Sequence, residues 1–294
     1  RNDILLPSTV CPDHLGVVTP MSDRGPDAGL SALPPAQLRA EIRAGRFGGH
    51  TAGLAAGRLQ VNLVILPERY ASDFAEFCAA NSKPCPLISS TQPGQTAWPA
   101  LGAGIDIRTD VPAYNVYEAG RLSASPTRLD GVWRDDLVSF ALGCSFTFEH
   151  ALLRAGIPVR NIELDLTVPM FRTSIETQPA GPFGGPMVVS MRPIPKPLVD
   201  RAVEVSGQFP WAHGTPVHIG DPAEIGIRSL STPDWGDQLA IGPDEVPVFW
   251  ACGVTPQAAL DRARPDLCIT HRPGHMLVTD LDQDDPFSAQ AGAA

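Results

Sequence analysis

Basic clusters are missing from this 294-residue chain, which has only two lysines, Lys83 and Lys196, and no run of Lys and Arg. Binding to nucleic acid needs a positively charged face, so no nucleic-acid partner is expected. The formal charge of −10 instead favours a soluble, self-repelling surface. Also missing is any unbroken stretch of the roughly 20 apolar residues that crossing a bilayer requires, so no membrane partner is expected. Residues 1–10 lack the charged, apolar and small-residue order of a secretory signal. The chain begins without Met, which leaves open a targeting segment ahead of Arg1. Six cysteines occur without a single CxxC pair. That usage points to reduced thiols in a cytoplasmic compartment, and away from a disulfide framework or a cysteine-built zinc site. The glycines between 53 and 57 match neither GxGxxG nor a Walker loop, so no nucleotide cofactor is expected.

What is present is an ordinary globular composition, 43% hydrophobic and 18% charged, long enough for one large domain or two modest ones. Residues 1–33 have no sustained period and read as an irregular extension. A helix is predicted over 34–44, with proline in its first turn and Gly45 past its end. Residues 59–66 (LQVNLVIL) predict a strand stopped by Pro67, and Tyr70, Phe74 and Phe77 predict a helix over 69–80. A short strand follows at 86–89. Residues 134–156 carry the longest helical pattern, broken at 143–145. Strands are predicted at 159–166 and 187–191, and helices at 195–206 and 255–264. Residues 281–294 read as a disordered tail. Alternating helices and strands predict an α/β sandwich whose sheet is at least partly parallel.

Three stretches of the last third run from a strand-like segment into a loop of reactive residues: 216–222, 246–257 and 268–280. Loops at one edge of a sheet commonly carry catalytic groups. His218 and Asp221 suit a base with its orienting carboxylate, or a pair of metal ligands. Cys252 resembles a nucleophile or anion corner in outline. The plainer reading makes Thr255 an N-cap with Pro256 at the first helical position. His271 and His275 are four apart, but Pro273 and Gly274 between them exclude a helical metal motif. Upstream, Arg108 and Asp110 (DIRTD) fit either a carboxylate clamp with its base or a structural ion pair pinning a loop. Cys144 and Ser145 stand at a helix break whose free N–H groups suit an anion, with Glu149 one turn on as acid or base. For Cys144 alone, a buried cap is the plainer reading.

The strings TAGLAAGRLQVNLVILP, DFAEFC, PCPLI, DIRTDVPAY, WRDDLVSFALGCSFTFE, VPMFRT, VVSMRP, HGTPVHIGDP, VPVFWACGVTPQ and ITHRPGHMLVTD occur in that order between residues 34 and 280. Together they resemble the hydro-lyase family that includes the D-glutamate cyclases. The resemblance implies a three-layer α/β sandwich with a second, smaller two-layer α/β part. The expected division is 34–110 plus 190–280 for the main domain and 111–189 for the smaller one. It also implies a lyase of amino-acid metabolism that removes water, typically from D-glutamate to give 5-oxo-D-proline, with a divalent metal such as manganese as a possible cofactor. Three positions depart from the family pattern: His50 in place of Pro, Val61 in place of Ala, and Thr167 in place of Asn. These departures leave room for a related substrate.

Such a reaction needs an anion clamp, a base, an acid and an oxyanion site. Arg108 or Arg192 suits the clamp and His218, oriented by Asp221, the base. Glu149 or His271 suits the acid, and the N–H groups around Cys144 and Ser145 suit the oxyanion. Asn62 and Cys252 complete the residues expected to touch substrate. The expected partner is a small-molecule carboxylate, and a homo-oligomer stays open. The alternatives are a metal-dependent hydrolase or isomerase built on His218, Asp221 and His271, or a non-catalytic binder of a small acid such as 5-oxoproline.

Overall fold

The computed structural model describes residues 28–164 and 166–288. Two antiparallel sheets organise it. The larger has seven strands: β1 (Arg58–Pro67), β2 (Leu87–Ser90), β3 (Tyr114–Glu118), β4 (Arg121–Ala124), β5 (Leu137–Leu142), β10 (Cys268–His271) and β11 (Leu277–Asp282). The smaller has four: β6 (Met170–Glu176), β7 (Pro186–Pro195), β8 (His218–Ile219) and β9 (Glu245–Ala251), in the order β6-β7-β9-β8. Helices are α1 (Ala28–Ser31), α2 (Pro35–Arg43), α3 (Glu68–Ala80), α4 (Phe146–Arg154), α5 (Arg160–Glu163), α6 (Val199–Gly207) and α7 (Val254–Ala263). No helix among the described residues is long and apolar enough to cross a membrane.

β1 is the spine of the larger sheet because its side chains alternate between two cores. Leu59, Val61, Leu63 and Ile65 enter a core closed by the loop residues Trp98, Leu101, Ile107 and Leu129. Val64 and Leu66 enter another, covered by Phe74 and Phe77 of α3 and by Ala259 and Leu260 of α7. The smaller sheet is likewise buried on both faces. Ile194, Val248 and Trp250 meet Phe148 and Leu152 of α4 and Ala202 and Val205 of α6. On the opposite face, Val189, Met191 and Phe249 pack with Ile225 and Leu239. The sheets exchange helices: α4 follows β5 of the larger sheet yet packs on the smaller, and α7 follows β9 of the smaller yet packs on the larger.

The α/β class and the larger and smaller parts agree with expectation, but the parallel sheet does not, since every strand pair is antiparallel. Helix–strand alternation along a chain cannot distinguish a crossover within one sheet from a strand sent to a second sheet. The strands are also shared out differently from the expected division, because β3, β4 and β5 join the larger sheet while β7, β8 and β9 join β6 in the smaller.

Two elements change type. Leu137–Leu142, expected as helix, is strand β5, buried at all six positions because it lies between β1 and β2 with a core on each face. Residues 159–166, expected as a strand, contain the short helix α5, and Ile162, Leu164 and Leu166 stay exposed. Among the described residues no strand pairs with this stretch to give that alternation a buried face. Past residue 280, Leu281 and Asp282 belong to β11, and the Phe287 ring meets Trp211 edge-on at 6.0 Å. The expected extension lies mostly outside the described residues, and its last part includes α1.

Candidate functional site

Two strand-to-helix turns converge where the sheets exchange helices. β5 leads through Gly143, Cys144 and Ser145 into α4, and β9 leads through Cys252 and Gly253 into α7. Asn62 of β1 stands between them, its Nδ2 donating to the Gly143 carbonyl at 2.9 Å. A Cβ on Gly253 would lie 2.6 Å from that Nδ2, and one on Gly143 would lie 1.6 Å from the Trp211 carbonyl oxygen. Backbone contact requires glycine at 143, whereas at 253 a Cβ would displace the Asn62 amide. α7 begins one residue earlier than expected, so Thr255 is not its N-cap. Its hydroxyl instead donates to the Val188 carbonyl at 3.1 Å and accepts from the Val188 N–H at 3.0 Å, tying α7 to β7.

Each turn buries a thiol. Cys144 is pushed up to about 12 and Cys252 to about 11, mainly by burial, which outweighs the N–H groups of Phe146 and Val254 pointing at the two sulfurs. Both stay protonated near neutrality, because desolvation exceeds the helix-end effect. The five described cysteines are free thiols.

Behind the thiols lies a buried ion pair. The Arg192 side chain is 0% and that of Glu149 2% exposed. Arg192 donates from Nε to Glu149 Oε1 at 2.9 Å, from Nη2 to the same oxygen and to Ser145 Oγ at 3.3 Å, and from Nη1 to Ser190 Oγ at 2.9 Å. Its guanidinium also sits 4.9 Å from the Phe148 ring centre and 5.4 Å from that of Trp250. Four of its five N–H donors are thus engaged inside the protein. As placed, Arg192 and Glu149 neutralise each other and brace α4 against β7.

The remaining expected residues lie elsewhere. His218 Nε2 bonds the backbone carbonyl of Asp221 at 2.7 Å, while the Asp221 carboxylate accepts from the Ala223 N–H at 2.9 Å and caps a short turn. The carboxylate therefore does not orient the imidazole. His218 pairs with Phe249 and Arg192 with Val248, and since alternate residues of β9 face opposite ways, the sheet separates them. Asp110 is fully buried and held by Arg43 through bonds of 2.8 and 2.6 Å, and Arg108 forks onto Asp106 at 3.0 and 2.7 Å. Arg108 and Asp110 therefore do not pair with each other, and the Arg43–Asp110 pair pins the 106–110 loop to α2. His271 accepts the Leu63 N–H on Nδ1 at 3.0 Å, where β1 passes from pairing with β10 to pairing with β11. Burial lowers it to about 4.

One further buried histidine lies beside the junction. His213 has a left-handed φ of 78° and is 1% exposed. Its Nδ1 donates to the Lys83 carbonyl at 2.9 Å, and its buried Nε2 has no partner. Burial lowers it to about 4, helped by the charges of Arg192 and Lys83. His213 and His271 are thus both depressed from 6.5, so the fold prefers their neutral forms. Their stabilisation is complete above about pH 6.5 and is lost as pH falls through about 4. For His213 the expected loss is about 3 kcal/mol. Urea midpoints measured from pH 7 to 4 should fall across that window. His213→Asn, which tolerates the left-handed backbone, should flatten the fall; an unchanged slope would remove His213 as a cause.

Among the described residues no three His, Cys, Asp or Glu side chains converge in a way that could hold a metal. His218 and Asp221 lie on the smaller sheet and its following turn, and His271 on the larger. Among the described residues these three do not form one metal site.

The sequence relationships match this junction. A family model described as D-glutamate cyclase matches residues 138–280, which contain both strand-to-helix turns. Over 250 residues the chain is 64% identical to a "putative hydro-lyase" of Dinoroseobacter shibae, covering 85% of this chain and 96% of that one. It is 57% identical over 254 residues to a protein of the same name from Jannaschia sp., and 58% over 250 residues to one from Methylobacterium radiotolerans. A nitrogen repressor-like protein from Methanococcus jannaschii aligns over 83% of this chain and 97% of that one, with a TM-score of 0.37 and 11% identity. That level of likeness bears on neither fold nor activity. The chain is an enzyme, a lyase of the hydro-lyase class. It belongs to the D-glutamate cyclase family.

Proposed function

We propose that this enzyme removes water from a small, carboxylate-bearing amino or hydroxy acid in cytoplasmic amino-acid metabolism, with cyclisation of D-glutamate as the leading reaction. One observation carries the reading: the D-glutamate cyclase match over 138–280 spans both turns of the junction. In that reaction the neutral amine attacks the side-chain carboxyl carbon. A C–N bond forms, a C–O bond breaks, and an amine proton leaves with the departing hydroxyl as water. The chain must take up the amine proton, hold the carboxylate and stabilise the developing oxyanion. The N–H groups at the start of α4, beside Cys144 and Ser145, suit the last task, with the Arg192–Glu149 pair keeping the helix in place. His218 and Asp221 take no part, being across the smaller sheet from that helix.

Incubation with D- and L-glutamate, followed by proton NMR, should yield 5-oxoproline from the D form, and a chelator should leave the rate unchanged. Binding of 5-oxoproline without turnover of either enantiomer would instead favour the non-catalytic binder.

A further inference from the structure

The far end of α4 borders a groove that the junction does not use. Leu153 and Arg154, the last residues of the helix, line it together with Ala56 and Gly57 before β1 and residues 282–284 at the end of β11. His150, one turn earlier on α4, lines it too. The groove holds about 380 Å³, within the range that accommodates small metabolites. α4 has nine residues at ~1.5 Å each, so its two ends, and with them the groove and the Ser145 turn, are roughly 13 Å apart.

A preset amide marks the groove as a binding site. Gln283 is only 5% exposed, and its backbone is fixed on both sides. Its N–H donates to the Gly57 carbonyl at 3.0 Å, and its carbonyl accepts from Trp211 Nε1 at 3.1 Å. The side-chain amide bonds no described residue, yet neither of its polar atoms is sealed from solvent. The amide therefore reaches solvent, and the groove is the larger space that Gln283 lines. A nearly buried amide with its donors and acceptor unmet gains from a ligand that supplies both. The charges around it are mixed. Asp282 is exposed, has no ion-pair partner among the described residues and accepts the Asp284 N–H at 2.8 Å. Arg58, opposite it on β1, donates to the Asp280 carbonyl instead. Arg154 pairs with Asp284 at 2.9 Å, both side chains 53% exposed, a weak surface pair that leaves guanidinium donors open. Leu153, 39% exposed, adds an apolar wall. A simple anion here would meet two aspartates, and a simple cation would leave Arg154 and the Gln283 donors unanswered. A zwitterion with an apolar side chain answers all of them.

We propose that this groove binds an aliphatic α-amino acid at a site separate from the junction. The ammonium group meets Asp282 and Gln283 Oε1, the carboxylate meets Arg154 and Gln283 Nε2, and the side chain lies against Leu153. No covalent bond is made or broken there. The site does not rest on the hydro-lyase reading, because every group it uses lies at the C-terminal end of α4 or at residues 282–283.

The test is histidine-ring NMR of the full chain titrated with L- and D-leucine, with 4-methylpentanoate, which lacks the ammonium group, and with leucinamide, which lacks the carboxylate. Calorimetry with the same compounds gives the affinities, and His150→Gln identifies the His150 signals. One leucine enantiomer or both should shift those signals saturably, and each singly charged analogue should bind about tenfold or more weaker. Asp282→Asn and Gln283→Leu should each weaken leucine binding by about tenfold or more. Asp282 is an exposed side chain, so its variant tests the site even where Gln283→Leu fails to fold. Absence of leucine binding, equal affinity for 4-methylpentanoate, or binding unchanged in Asp282→Asn would overturn the site. None of these readouts depends on turnover of glutamate, so the site and the hydro-lyase reading stand or fall separately.

Discussion

Arg192→Met should be among the most destabilising single changes in the protein, costing about 3–5 kcal/mol. The substitution removes the partner of a carboxylate that is itself 1% exposed, and strands Ser145 and Ser190 without their shared donor. Desolvation is the reason for the size: an unpaired Glu149 between the Phe148 and Trp250 layer and the start of α4 has no water to solvate it. A typical domain has only about 5–15 kcal/mol to lose, so the loss should be plain in a urea titration. Replacing both partners, as Glu149→Leu with Arg192→Met, should recover most of it, because an apolar pair leaves no buried charge. A double variant as unstable as the single one would show that the pair is not what braces α4. If the double variant is stable but inactive, the pair also shapes the field at the site.

Gly143→Ala should cost about 3 kcal/mol or more, at the upper end for overpacking. Its backbone φ is ordinary, so the cause is contact alone. The new Cβ would sit 1.6 Å from the Trp211 carbonyl oxygen and 2.8 Å from its carbonyl carbon, both backbone atoms that cannot rotate away. Either β5 or the 210–213 turn must move. That turn carries His213 in its left-handed conformation and packs the Trp211 ring beside Phe209. Gly131→Ala is the control, because nothing lies within 4 Å of its Cβ position and its φ is not left-handed. It should shift stability by less than about 0.5 kcal/mol. Equal melting temperatures for the two variants would mean that Gly143 and Trp211 are not in close contact.

Much of the fold was legible where one face of an element is apolar and local. β1, α2, α3 and α6 follow from periodicity and from the prolines at their starts or ends. The break at 143–145 was legible too, but not that its two sides differ in type. Six buried residues in a row, five of them apolar, suit a central strand and a core helix equally well.

For the site, the sequence pointed to Asn62, Cys144, Ser145, Glu149, Arg192 and Cys252, and all six meet at one junction. Their relations were not legible. Glu149 and Arg192 are 43 residues apart, and only the helix exchange brings them together. His218 reads as a base until the register of β8 on β9 sets it across the sheet from them.

The most direct test is proton NMR of the purified enzyme with D-glutamate in D₂O. A cyclising hydro-lyase should convert it to 5-oxo-D-proline while the α-proton signal keeps its full intensity, because no bond to the α-carbon's hydrogen breaks. Loss of that signal during turnover would point to water leaving by α-proton abstraction. If neither glutamate enantiomer yields 5-oxoproline with a folded enzyme, the cyclase reading is contradicted.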